Sequence, residues 1–290
     1  MTQNTGSRNV TADPRTIQGF GEEWASYDQS DQDPRERQEQ FERYFSVFPF
    51  DGLEQAEGFD LGCGSGRWAA LAAKRVGHLH CIEPAEKALA VARAGLADLP
   101  NVSFHLASSD TIPLADGSQD FGYSLGVLHH TPDTEGALAK CVAKLKPGAP
   151  FLVYLYYAFD NKPWWFRRIW RASDVGRKAI SNLPFGLRRV ATEALAALVY
   201  WPLARGAKVA EKLGANVHAV PLSDYRHLSF YAMRTDALDR FGTRLEERFT
   251  RREIEAMMRR CGLEDIVFRD EPPFWCACGR KSTGIAAANA

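Results

Sequence analysis

Several features that would settle a function at once are missing from this sequence. Its six cysteines (Cys63, Cys81, Cys141, Cys261, Cys276, Cys278) form no C-x-x-C pair, and no His/Cys cluster has the spacing of a zinc site. Several of them fall inside apolar runs, where a free cysteine serves as a small buried hydrophobe, so neither a metal nor a disulfide framework is expected. Net charge is also missing. The chain has 36 basic and 36 acidic side chains, which gives no general pull toward nucleic acid or an anionic membrane. The opening MTQNTGSRNV has no apolar signal-peptide core. The longest apolar run, ALAALVYWPLA at 194–204, is too short to span a bilayer. Together these absences predict a reduced, cytoplasmic protein.

What is present is an ample apolar content, 45% of 290 residues, enough for a sizeable core. The charge is unevenly placed. Residues 1–60 hold 13 acidic and 5 basic side chains, and residues 162–212 hold 11 basic and 3 acidic, so two segments of −8 and +8 can face one another or an outside partner. The first dozen residues are polar and predicted to be disordered. A helix with Phe41, Tyr44, Phe45 and Phe48 on one face is predicted over 35–48.

From residue 57 strands and helices alternate. GFDL, HLHCIEP, VSFHLAS, DFGYSLGV and APFLVYLYY read as strands, and RWAALAAKRV, AEKALAVARAGLA and TEGALAKCVAKLK as the helices between them. TRREIEAMMRRCGL carries a capping box at Thr250 and Glu253, and EDIVFRD and FWCACGRK complete the set of strands. This pattern predicts an α/β fold: a Rossmann-like, seven-stranded, mostly parallel sheet with helices on both faces and ligands at the carboxyl ends of the strands. The Trp-rich, basic stretch 158–235 breaks the rhythm and reads as a helical insert before the last strand pair. The charged stretch 234–250 reads as a solvated connector with some internal ion pairs.

At the first strand end, FDLGCGSGRW places glycines at 62, 64 and 66. A dinucleotide fingerprint wants its third glycine where Arg67 stands, and no Lys-Ser/Thr pair follows for a P-loop. The bare backbone still allows a ligand close approach. Glu83 at the second strand tip and Asp110 past the third are placed to accept hydrogen bonds from it. The alternative is a tight turn with solvated acids.

In FDLGCGSGR, CIEP, SSDTIPLADGSQDFGYSLGVLHHTPD, LKPGAPFLVYLYY and TRREIEAMMRRCGLEDIVF the chain resembles the class I S-adenosylmethionine-dependent methyltransferases of the type 11 kind, over about 57–157 and 248–280. The resemblance implies S-adenosyl-L-methionine as cofactor. Gly62 and Gly64 would hold its methionine part, Glu83 the ribose and Asp110 the adenine, while Asp60 would orient the loop. Cys63, Ser109 and Leu125 would also contact it. FGEEWASYD resembles segments that close over the cofactor, with Trp24 or Tyr27 near the sulfonium; the alternative is an amphipathic helix packed on the domain.

An oxygen or nitrogen acceptor needs a base, and the candidates are His129, His130, Tyr27, Tyr225, His227 and Tyr231. GYSLG at 122–126 matches a serine-hydrolase elbow, but no helix follows it, so Ser124 is expected inside a strand. The basic aromatic NKPWWFRRIWRASDVGRKAI has two readings: a helix at a membrane surface serving a lipid-like acceptor, or a lid or dimer helix with its Trp residues buried and its arginines against the acidic N-terminus. The neutral chain argues against nucleic acid. The expected organisation is a helical cap (1–56), a cofactor-binding core (57–157), a substrate or lid insert (158–235), a completion of the sheet (236–282) and a flexible tail (283–290). The expected function is methyl transfer to a small-molecule or lipid-like acceptor. The rivals are another S-adenosylmethionine-dependent transfer on this fold and a non-catalytic docking protein.

Overall fold

The computed structural model describes residues 13–27 and 31–284, so the disorder expected of the first dozen residues and of the tail from 285 onward lies outside the described residues. Strands β1 (Glu57–Leu61), β2 (His78–Glu83), β3 (Val102–Leu106), β4 (Phe121–Leu125), β5 (Pro150–Tyr154), β6 (Leu263–Phe268) and β7 (Cys276–Lys281) form one sheet in the order β3-β2-β1-β4-β5-β7-β6. The pairings are parallel as far as β5, and β7 runs antiparallel to both β5 and β6. The Rossmann-like, mostly parallel seven-stranded sheet is thus the observed fold.

Alternation along the strands feeds two cores. Phe121, Tyr123, Leu152 and Cys278 pack on one face against Phe41, Phe45 and Trp68. Phe59, Leu61, Phe151 and Val153 pack on the other against Leu138, Cys141, Ile254 and Met258. This two-sided burial explains the continuous apolar run of β5. It also explains Gly58: a Cβ there would lie 2.5 Å from the Phe121 carbonyl oxygen and 2.6 Å from its ring.

The helices are α1 (Pro14–Ser26), α2 (Pro34–Tyr44), α3 (Ala69–Ala72), α4 (Glu86–Gly95), α5 (Thr134–Lys144), α6 (Trp164–Ser181), α7 (Phe185–Leu195), α8 (Trp201–Lys212), α9 (Phe230–Gly242) and α10 (Arg251–Arg260). Asp13 caps α1 by accepting from the Thr16 amide at 2.9 Å, with Pro14 pre-set for the first turn. The reciprocal capping box at Thr250 and Glu253 starts α10 as predicted. α7 runs through a π-helical turn (Ala196–Tyr200) into α8, where Pro202 has no N–H to donate.

One expectation is overturned. The stretch 234–250 is not a solvated connector: much of it is α9, with Met233, Ala237 and Leu238 buried. The internal ion pairs expected of it are present, Arg240 Nε lying 2.8 Å from Asp236 Oδ2. α9 also crosses the domain boundary expected between 235 and 236. All six cysteines are free, and only Cys261 is not fully buried. Among the described residues no group of His, Cys, Asp and Glu could hold a metal ion, and no helix is long and apolar enough to cross a membrane.

Candidate functional site

The strand order reverses between β1 and β4, and the crevice at such a switch point is where open α/β sheets bind ligands. A cavity of about 150 Å³ lies there, walled by the carboxyl ends of β1, β2 and β4 and roofed by α1. Its floor is the glycine loop. Gly62 and Gly64 both have positive φ (78° and 55°), which favours glycine. A Cβ on Gly62 would lie 2.4 Å from Val127, and one on Gly64 would lie 3.1 Å from the Trp24 indole nitrogen. The cradle is therefore bare by necessity.

Glu83 holds this loop from the side, accepting from the Gly64 amide at 3.0 Å and from the Ala85 amide at 2.9 Å. Burial pushes its carboxyl up to about 7, while those two amides pull the other way. Asp60 is buried behind the loop, its Oδ2 without a partner and its pKa pushed up to about 8, chiefly by desolvation. Trp24, Gly62, Cys63, Gly64, Glu83, Ser109 and Leu125, which the sequence had suggested as cofactor contacts, all line this one cavity.

Two other candidates lie elsewhere. Asp110 sits on the exposed side of its loop, where Lys140 of α5 pairs with it. Tyr27 turns away from the cavity, its hydroxyl donating to Glu193 Oε1 at 2.8 Å. Burial and that carboxylate raise its pKa to about 12.

The two adjacent histidines part company. His129 is fully buried, with no partner at either ring nitrogen and its ring centroid 4.0 Å from that of Tyr156. Burial drives its pKa well below the ordinary value, so it is a neutral packing residue. His130 lines the cavity. Its Nδ1 lies 2.7 Å from the Leu245 carbonyl oxygen, a contact that requires the proton on Nδ1. In the neutral ring Nε2 then carries the lone pair, 3.9 Å from Asp239 Oδ1. Tyr225 is buried and donates to Asp236, His227 is exposed on Glu211, and Tyr231 packs edge-on to Tyr27. Ser124 lies in β4 with its hydroxyl donating to the Leu61 carbonyl at 2.9 Å, which leaves no hydrolase elbow.

A second and larger chamber, about 590 Å³, adjoins the first. The two share Trp24, Tyr44, Arg67, Tyr154, Asp236 and Asp239 as walls. The larger one is closed by α6, α8, α9 and the loop at 272–274, and Tyr225 is among its lining residues. Its surface is mainly aromatic and aliphatic, with ion pairs already satisfied from within, such as Arg177–Asp174 and Arg248–Glu246. At the junction the Arg67 guanidinium lies over the Trp68 ring at 4.3 Å and the Trp24 ring at 5.6 Å. Glu23, buried there, and Asp239, partly buried, have pKa values raised by desolvation. Tyr156 donates to Asp239.

Sequence reasoning missed Asp236 and Asp239. The signal was available: the apolar ridge of Met233 and Ala237 at helical spacing puts 230–242 against the body of the protein, so acids on that helix cannot all be solvated. In the insert, Trp170 is half-buried but Trp164 is 64% exposed. Of the basic residues from 162 to 212, Arg188 meets the N-terminal acids, through Glu22 at 3.4 Å, and among the described residues no other does.

Comparisons with known proteins agree with this geometry. Residues 59–153 match the family model described as a methyltransferase domain. An uncharacterised 37.1 kDa protein in a Streptomyces fradiae transposon is 34% identical over 112 residues, 37% of this chain and 32% of that one. A ubiquinone biosynthesis O-methyltransferase of Aromatoleum aromaticum is 32% identical over 99 residues, 33% of this chain and 42% of that one. The chain thus spans less than half the length of these relatives. A chain from the Haloferax volcanii complex of the Trm112 methyltransferase activator with a methyltransferase shares the fold, at TM-score 0.51 and 15% identity over 92% of this chain and 97% of that one. Residues 59–153 thus match a methyltransferase domain, and the seven-stranded sheet around them shares its fold with the methyltransferase complex chain.

Proposed function

We propose that this protein binds S-adenosyl-L-methionine in the smaller cavity and methylates an acceptor held in the larger chamber. One observation carries the reading: two cavities of different character share a wall, one at the strand ends with a bare backbone floor and a buried carboxylate, the other large and mostly apolar. Gly62, Cys63 and Gly64 form the cradle for the methionine part. Glu83 keeps lone pairs for the ribose hydroxyls beyond those engaged by Gly64 and Ala85. Asp60 braces the loop from behind, and Ser109, Leu125 and Trp24 close the remaining walls.

When bound, the cofactor supplies an electrophilic methyl group on a sulfonium. The chain itself contributes alignment, which is worth a large share of the barrier when a nucleophile is fixed in line. The apolar chamber excludes water and holds the acceptor body. For an acceptor with an O–H or N–H group, the candidates to take the proton are Asp239, which lines both cavities, and behind it His130, whose Nε2 lies 3.9 Å from Asp239 Oδ1. The volume and lining suit an organic acceptor with an apolar body, small-molecule or lipid-like, and not a nucleic acid. In this reading 57–157 and the strands near the C-terminus form the cofactor domain, α1 and α2 cap it, and the insert builds the acceptor chamber.

Calorimetric titration of S-adenosylmethionine and S-adenosylhomocysteine into the wild type and Glu83→Ala tests the reading. We expect micromolar binding to the wild type, weakened about tenfold or more in the variant, since a charge-assisted pair of hydrogen bonds is lost. A wild type that binds neither compound would remove the basis of the proposal.

A further inference from the structure

Large apolar side chains are not spread evenly over this surface. Of the sixteen exposed among the described residues, thirteen fall between Trp164 and Leu213, on α6, α7, the π turn, α8 and the residues that join or follow them. A protein surface that concentrates apolar groups in this way is an interaction site. α6 carries two adjacent stripes. One holds Trp165, Ile169, Ala172 and Gly176, all exposed; the last three also line the larger chamber. The other holds Trp164, Arg167, Arg168 and Arg171, with Arg168 lying over the Trp164 ring at 4.9 Å. On the neighbouring helix Val199 and Leu203 are exposed and line the same chamber. The chamber therefore opens through this apolar face.

We propose that the face formed by α6, the π turn and α8 docks on an anionic lipid bilayer, with the mouth of the chamber turned toward the membrane so that an acceptor with an apolar tail enters from the lipid. The uptake half rests on the acceptor reading above; the docking half stands without it.

Charge complementarity selects this occupant. Segment 162–212 has 11 basic and 3 acidic residues. Asp174 pairs with Arg177 and Lys178, and Glu193 with Arg189, while Arg167, Arg168 and Arg171 meet no carboxylate among the described residues. Cations beside exposed tryptophans match the headgroup zone, where rings sit at the interface and arginines meet phosphate. A second copy of the chain fits worse. A two-fold contact through this face would set the same three arginines against themselves, and a contact with the acidic N-terminal side of another copy would not close.

The test uses the full chain and vesicles of neutral phosphatidylcholine, with or without about 30 mol % phosphatidylserine. Sedimentation should carry the wild type down with the anionic vesicles at about 0.05 M salt, and far less at about 0.5 M. Arg167→Gln and Arg171→Gln should each lower the partition about fivefold. Acyl chains brominated near the headgroup should quench tryptophan emission in the wild type and less so in Trp164→Phe/Trp201→Phe. These side chains are exposed, so the variants should keep the wild-type circular dichroism and cofactor affinity. Failure of the wild type to bind anionic vesicles at low salt would overturn the proposal. So would a dimer in sedimentation that the same arginine variants dissociate. Cofactor titration in the absence of lipid is a separate readout, so a chain that binds S-adenosylmethionine yet ignores vesicles defeats the docking proposal alone.

Discussion

Glu83 and Asp60 are placed where a carboxylate is useful to a ligand and unwelcome to the fold. Burial raises Glu83 from 4.5 to about 7 and Asp60 from 3.8 to about 8. The unfolded chain gives up these protons near its ordinary carboxyl values, while the folded chain keeps them longer. Their stabilising effect is therefore whole below the unfolded values, and it is lost progressively as pH rises from those values through about 7 to 8. For Glu83 alone the swing is on the order of 3 kcal/mol, at 1.36 kcal/mol per pKa unit. Urea unfolding of the ligand-free protein across this range should show Asp60→Asn with a flatter profile than the wild type. The difference between the two profiles isolates the buried carboxyl from the many exposed ones. Parallel profiles would mean that Asp60 is ionised throughout. The neighbouring histidines make a related point: one short 3-10 turn (Leu128–His130) sends His129 into the core and His130 to the cavity.

α9 decides more at the level of elements than any other helix of the insert. It packs Met233, Ala237 and Leu238 inward and gives Asp236 and Asp239 to the wall between the two cavities. Arg240 lies partly buried beside Asp236, which also accepts from Tyr225. Asp236→Asn would leave that guanidinium without its counter-charge and weaken the Tyr225 hydrogen bond, so we expect a loss of about 1–3 kcal/mol in chemical unfolding. Asp116→Asn is the matched control. Asp116 also meets a cation, Lys144 at 2.7 Å, but lies fully exposed, and its unfolding midpoint should not move. Equal effects in the two variants would refute the account of α9 as an internally neutralised helix.

On the scale of the whole molecule, the roof of the smaller cavity is tied to the insert and not only to the sheet. Arg188 on α7 donates to the Gly242 carbonyl at the end of α9 at 2.9 Å and meets Glu22 of α1 at 3.4 Å. Tyr27, just past α1, adds its hydrogen bond to Glu193. Arg188→Ala should therefore loosen α1, with hydrogen exchange there rising roughly tenfold, the factor that corresponds to losing about 1.4 kcal/mol of local stability. S-adenosylmethionine affinity should fall in parallel, while the amides of β1, β4 and β5 keep their protection. Unchanged exchange in α1 would show that the roof is held by its packing on α4 alone, where Gly21 meets Ala85.

The parts of this protein legible in its sequence are those set by short-range pattern. Alternation located β3 and a continuous apolar run β5, helical periodicity and caps located α4, α5 and α10, and the glycine spacing with Glu83 located the floor of the cavity, because each of these needs only neighbours in the chain. The tertiary structure alone decided which charges are solvated and which are buried. Asp110 reads like a ligand contact yet turns to Lys140 at the surface, whereas Asp236 and Asp239 read like a solvated connector yet stand at the junction of both chambers. A charge takes its role from the dielectric and the partners around it, and those are supplied here by other elements of the fold, Lys140 of α5 for Asp110 and Tyr156 past β5 for Asp239.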